Sequence, residues 1–175
     1  MDALDAIFSR RSVRRYTAEP VSRDQLETLV RAGMAAPTSR DTRHFRFIVV
    51  TDPAFIDPLT DGLPYAGMLA SARHAIVVAS DLSVAYGGLE TGYWIQDCSA
   101  AAENILIAAQ AQGLGACWTG VHPREERVAF LKEILGLEEP VRPLCLITVG
   151  VPTGEDNTPR DKFHSDHVVW KEPRD

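Results

Sequence analysis

The chain has 175 residues, 45% hydrophobic and 24% charged, with a formal net charge of −6. That length and mix suit a single domain, residues 1–175, large enough to bury roughly two-thirds of its unfolded surface without a disulfide staple. The acidic balance argues against a general nucleic-acid surface, no run approaches the ~20 apolar residues of a membrane span, and residues 1–10 lack the apolar block of a signal peptide.

In chain order, residues 2–9 carry Leu4, Ile7 and Phe8 at helical spacing and predict a short amphipathic helix that docks on the body. Residues 10–16, RRSVRRY, hold four arginines and a serine. Ser22 and Gln25 then form a capping box for a helix whose apolar face is Leu26, Leu29, Val30, Gly33 and Met34. The stretch Ala35-Ala36-Pro37-Thr38-Ser39 breaks it, and residues 45–51 predict a strand from β-branched and aromatic content. A helix with Phe55, Ile56 and Leu59 follows, then a short helix over 65–73 and a strand over 74–80. Residues 81–92 form an irregular Gly-containing loop.

The stretch DCSAAAENILIAAQAQGLGACWTG, residues 97–120, is the centre of the chain. Its alanines let neighbouring backbones approach a helix from nearly every side, and Ser99, Glu103 and Gln110 line up as one narrow polar stripe. Gly113 is placed to end the helix in the left-handed region, and residues 114–119 predict a strand that closes at Gly120. Pro123 suits the first position of the next helix, which carries Val128, Phe130, Leu131, Ile134 and Leu135. The last strand, over 143–151, is almost wholly apolar and so buried on both faces. Residues 153–175 are polar except for Phe163, Val168, Val169 and Trp170, which predicts an arm lying on another surface.

Cys98, Cys117 and Cys145 lie in apolar segments without metal-ligand spacing, which points to reduced core thiols in a cytoplasmic protein. The five histidines show no ligand spacing either, so His44, His74, His122, His164 and His167 read as caps or surface residues and no metal is expected. The arginines of RRSVRR present the forked donors that grip a phosphate, although a solvated basic turn has the same composition. Arg160 and Lys162 form a second basic pair in the arm.

An N-terminal helix ending in RRSVRxY, a helix ending in APTS before a strand, the AAAENILIAAQAQGLGACWTG stretch, and PLCLITVGVP followed by PRDKF occur in the order and spacing of the nitroreductase family. The chain resembles its small FMN-dependent members over nearly its whole length. The resemblance implies an α+β fold, with a mixed four-stranded sheet flanked by helices on both faces and the C-terminal arm exchanged in a homodimer. It implies FMN as cofactor and NADH or NADPH as electron donor, with nitroaromatics, quinones or related small molecules as acceptors in a ping-pong reaction.

By position, Arg10, Arg11, Ser12 and Arg14 match the residues holding the FMN phosphate and the polar edge of the ring, and Arg160 and Lys162 match those closing over the phosphate. Pro37, Thr38 and Ser39 match a loop reaching the flavin from the partner subunit, and Cys117, Trp118, Thr119 and Gly120 match the strand end under the ring. There a backbone amide near Thr119 or Gly120 would face N5 and O4. Asp41, Arg43, His44 and Phe45 depart from the Asn, Gln, Pro and Trp usual at this place, so Asp41 and Arg43 either change the charge on the substrate side or simply pair with one another. The resemblance points to no general acid or base, and the catalytic residues stay unknown. Two other classes remain open: a flavin reductase or flavin-consuming protein of the same fold, and a non-enzymatic module using RRSVRR on an acidic partner.

Overall fold

In a computed structural model, which describes residues 1–155 and 161–173, the strands are β1 (Phe45–Val50), β2 (His74–Asp81), β3 (Gly115–Gly120) and β4 (Val141–Gly150). They lie in the order β1-β2-β4-β3, and every pair is antiparallel. The parallel part of the expected mixed sheet is a single bridge, Ser12 to Ala116. Apolar runs such as AIVVAS and PLCLITVGV mark strands covered on both faces, but burial says nothing about direction. Both runs are central strands, and β1 and β3 are the edges.

The two faces follow from side-chain alternation along β2. Ile76 and Val78 join a core with α2 (Arg23–Met34) and α5 (Tyr93–Ala111), whereas Ala75 and Val77 join a second core with α3 (Pro53–Gly62), α4 (Leu69–Ala72) and α6 (Glu125–Leu135). The Ser22 and Gln25 capping box forms as expected. At the far end of α5, Gly113 has φ 74° and Leu114 N–H donates to the Ala109 carbonyl at 2.9 Å, which turns the chain directly into β3.

Four local expectations are corrected. In α1 (Ala3–Ser9) only Ala6 is buried; Leu4, Ile7 and Phe8 face outward, because the helix rests on α5 through its small residue. On the last turn of α2, Met34 is exposed where the packed face ends. The helix expected over 65–73 shrinks to α4, since Pro64 and Gly67 do not favour helix and Tyr65 itself has φ 67°. Pro123 lies in a turn ahead of α6: His122 N–H still bonds the Leu144 carbonyl, so the turn, closed by Arg124 N–H on Val121 O, occupies the place of the expected first helical turn.

The arginine-rich segment is laid against the sheet. Val13 N–H donates to Ala116 O at 3.0 Å, Thr17 N–H to Val151 O at 2.9 Å, and Thr153 N–H to Arg15 O at 3.1 Å. Tyr16, buried, donates its hydroxyl to the Val13 carbonyl. This approach needs Gly115, where an added Cβ would lie 2.7 Å from Val13 Cγ1 and 3.1 Å from the Tyr16 ring. Gly115→Ala should therefore destabilise the fold by about 1–3 kcal/mol, on the order of 2–10 °C in Tm. Gly120→Ala, whose Cβ meets nothing within 4 Å, should leave thermal unfolding almost unchanged. Calorimetry on the two variants checks the pair.

Candidate functional site

Two polar stripes on α5 attach two different segments. Glu103 and Gln110, seven residues apart and so on one face, take the N-terminal segment: Glu103 pairs with Arg10 at 2.8 Å, and Gln110 Nε2 donates to Ser9 Oγ at 3.1 Å. Arg10 Nε meets Glu103 as an ion pair and not as a hydrogen-bond donor. Asp97 and Asn104, also seven apart, lie about 120° round the helix from them at 100° per residue. Asn104 Nδ2 donates to Ala32 O at the end of α2, and Asp97 accepts from Ser39.

On the first side, Arg10, Arg11 and Lys162 line one cavity of about 530 Å3 together with Ile7, Phe8 and Phe163, with Asp161 as its carboxylate. The two basic clusters, far apart in sequence, thus converge at least in part; Arg160 lies outside the described residues. A larger groove of about 650 Å3 between α2 and β1 is lined by Val21, Leu26, Val30 and Val49 and sets Arg23 beside Glu27. It has no comparable cluster of cations. Arg14 reaches the Ser12 carbonyl only at 3.4 Å.

Alongside runs the free edge of β3. Because Ala116 O accepts from Val13 and Val121 N–H bonds Leu144 O of β4, Cys117, Thr119 and Val121 turn their backbone groups towards β4 while Ala116, Trp118 and Gly120 turn theirs outward. The amide available at the strand end is therefore that of Gly120, with Trp118 behind it, and not that of Thr119. The space where a Gly120 Cβ would sit is open. Arg127 of α6 fixes this end of the edge by donating to the outward Gly120 O at 2.9 Å. Thr119 Oγ1, buried, has no hydrogen-bond partner among the described residues.

The 37–43 turn is held on the second stripe. Ser39 donates to Asp97 through its N–H (2.9 Å) and its hydroxyl (3.2 Å), and Arg43 N–H donates to Thr38 Oγ1 at 3.0 Å. Arg40, Asp41 and Arg43 all have positive φ, of 56°, 55° and 50°. Left-handed backbone at residues with a Cβ costs on the order of 1 kcal/mol or more each and persists only where neighbours over-determine it. Asp41 and Arg43 do pair, bidentately at 2.9 and 2.6 Å, and this hydrogen bonding holds the Asp41 carboxyl below the usual carboxylate range. The Arg40 guanidinium lies 4.0 Å above the Tyr86 ring.

Pro37, Thr38 and Ser39 and the RRSVRR segment are thus anchored to different faces of α5. His44 is neither a cap nor a surface group: it is fully buried, with Nε2 2.9 Å from Asp97 Oδ2 and Nδ1 2.8 Å from Ser80 Oγ. Asp97, Asn104, Ser80 and Arg127 escaped the sequence reading. The seven-residue spacing of Asp97 and Asn104 was the one signal that could have exposed two of them.

The profile of the Nitroreductase family matches residues 7–63 and 59–151. The chain belongs to the nitroreductase family. A family relative from Methanothermobacter thermautotrophicus, named "Putative NADH dehydrogenase/NAD(P)H nitroreductase", is 39% identical over 170 residues, 96% of this chain and 86% of its own. A crystal structure of a protein of the same name from Bacteroides thetaiotaomicron is 40% identical with TM-score 0.90, covering 98% of both chains. A protein from Desulfovibrio desulfuricans described as "a putative nitroreductase in complex with fmn" is 30% identical with TM-score 0.84 over 100% of this chain and 99% of that one.

The nitroreductase fold here buries all three of its thiols. Burial pushes the Cys98, Cys117 and Cys145 thiols above their ordinary range; at Cys117 the Arg14 charge and the Ser12 hydroxyl pull the other way without winning. A raised thiol pKa leaves little thiolate at neutral pH. All three cysteines should therefore stay unreactive towards an aromatic disulfide reagent in the native protein at pH 7.5 and titrate fully only after unfolding. Colorimetric thiol counts in the two states check this.

Proposed function

We propose that the chain is an FMN-dependent oxidoreductase that uses NADH or NADPH to reduce nitroaromatic, quinone or related small acceptors in alternating half-reactions. The observation that carries the reading is the convergence of Arg10, Arg11 and Lys162 on one cavity beside an open strand edge that ends at Gly120. A dianionic phosphate on a protein of net charge −6 needs local cations, and a glycine with open space where a side chain would stand leaves room for a flat ring against the strand end. The residues present therefore fit FMN.

Bound FMN would supply the redox chemistry, taking up a hydride and giving two electrons to an acceptor. Arg11, Arg14 and Lys162, with Arg160 from the arm, bind the phosphate; Glu103 holds Arg10 in place for it. The outward amides of Gly120 and Trp118 place partial positive charge where negative charge collects on the ring, with no titrating side chain required. The Pro37–Ser39 turn, anchored on another face of α5, serves the site of a second subunit, and Asp41 and Arg43 flank the acceptor there.

A homodimer also accounts for what one chain leaves uncovered. Phe163, Val169 and Trp170 of the arm are 72%, 75% and 77% exposed, and Phe8 of α1 is 72% exposed. A partner subunit that receives the arm would cover these groups, for a gain of about 25 cal/mol per Å2 buried. No helix among the described residues is long and apolar enough to cross a membrane, and none of their His, Cys, Asp and Glu side chains cluster to hold a metal.

Purified protein should be yellow, absorbing at roughly 450 nm like any oxidised flavin. Arg11→Ala and Arg14→Ala should each raise the FMN dissociation constant about 10- to 150-fold, since a charge-assisted hydrogen bond is worth ~1.5–3 kcal/mol. Fluorescence titration of the apoprotein measures it; unchanged affinity in both variants would take the arginine segment out of the site. Deleting residues 153–175 should cost both dimer and flavin, and added FMN should then scarcely raise Tm. Light scattering and flavin content decide that; a truncated yellow dimer would refute the role given to the arm.

A further inference from the structure

The strained 38–43 turn is tied to the interior by one chain of buried polar groups. Ser80 Oγ lies 2.8 Å from His44 Nδ1, and His44 Nε2 lies 2.9 Å from Asp97 Oδ2. The same carboxylate takes the Ser39 amide on Oδ2 and the Ser39 hydroxyl on Oδ1. A carboxylate only accepts, so Nε2 carries a proton and donates to Asp97, while the other ring nitrogen meets the Ser80 hydroxyl. Four parts of the chain meet here: the turn, the residue just before β1, strand β2 and helix α5.

The fold does not call for this network. β1 and β2 are already registered by their ladder, with Phe45 opposite Ser80, and well-packed apolar groups of like volume usually replace a buried polar pair at little cost. What only the network supplies is two fixed acceptors for Ser39, immediately before three residues at φ 56°, 55° and 50°. Neither His44 nor Asp97 can meet a ligand directly, since they are 0% and 8% exposed.

We propose that His44 and Asp97, with Ser80 behind them, are positioning residues: a buried brace that fixes the 38–43 turn and so shapes the substrate side of the flavin pocket. The second half rests on the reading above, in which this turn faces a flavin. The brace acts through Ser39, and its loss should loosen the turn while leaving the phosphate contacts alone.

Two substitutions at one position separate the brace from mere core packing. In His44→Gln the amide nitrogen sits near the place of Nε2 and can still donate to Asp97. In His44→Asn the amide sits near Nδ1, keeps Ser80 and loses Asp97. Asp97→Asn, of the same shape, removes the doubly accepting carboxylate.

Hydrogen exchange in the apoprotein should speed up by ~10-fold or more at the Ser39 and Arg43 amides in His44→Asn and Asp97→Asn, stay within about threefold of wild type in His44→Gln, and be unchanged in β2 and β4. In the flavin-loaded dimer, KM for nicotinamide or acceptor should rise about 5- to 10-fold in the two loosened variants, with kcat and FMN affinity within roughly twofold. Equal exchange in His44→Gln and His44→Asn, a turn that keeps its protection in all variants, or faster exchange spread evenly over the sheet would overturn the brace. Faster exchange in the turn with unchanged KM would overturn its link to the pocket. A wild-type protein that takes up no FMN would overturn the flavin reading and the pocket half together, while the exchange data would still decide the brace.

Discussion

Close packing of one alanine-rich helix is the constraint on which the other parts depend. Along α5, Ala101, Ala102 and Ala109 are fully buried together with Cys98 and Ile105, so the sheet, α2 and α1 can all lie against it. A helix enclosed so tightly cannot carry polar groups at random, because each must find a partner at once or cost free energy. Those it does carry are therefore informative. Glu103 and Gln110 take Arg10 and Ser9; Asp97 and Asn104 take Ser39 and the end of α2. The same helix that fills the core also fixes the azimuth of two loops.

This separation of faces bears on how a site could be built. The arginine segment is placed by Glu103 on one side and by the edge of β3 on the other, and the turn after α2 is placed by Asp97 some 120° away. Two halves of one pocket set on different faces of a rod are more readily joined between two copies than within one. The outward-facing Phe8, Phe163 and Trp170 belong to the same picture, since apolar groups of that size gain by being covered.

Much of the architecture was legible in the chain. The strands at β2 and β4, the capping box of α2, the left-handed Gly113 and the central helix all arise from local rules of period, capping and φ. The misses have physical sources as well. Strand direction leaves no mark in an apolar run, and the helical spacing of Leu4, Ile7 and Phe8 cannot tell a face meant for the chain's own core from one turned outward. His44 looked like a surface residue because its partners, Asp97 and Ser80, lie 53 and 36 positions along the chain. Long-range polar pairing is invisible until the fold brings the groups together. Within the site, the convergence of Arg10 and Arg11 with Lys162 was implied by the family resemblance and not by composition, whereas the preference for the Gly120 amide over that of Thr119 depends on strand register.

The seat of Val13 and Tyr16 on Gly115, Ala116 and Gly150 also sets an order in time. Residues 10–16 are synthesised before β3 and β4, the strands that make the surface receiving them. The arginines must wait, solvated and unplaced, until β3 and β4 have formed, and contacts of such long sequence separation are slow to close. The arginine-rich segment can therefore take its place only after the two strands beneath it are paired, so its position reports that the β3–β4 end of the sheet is complete.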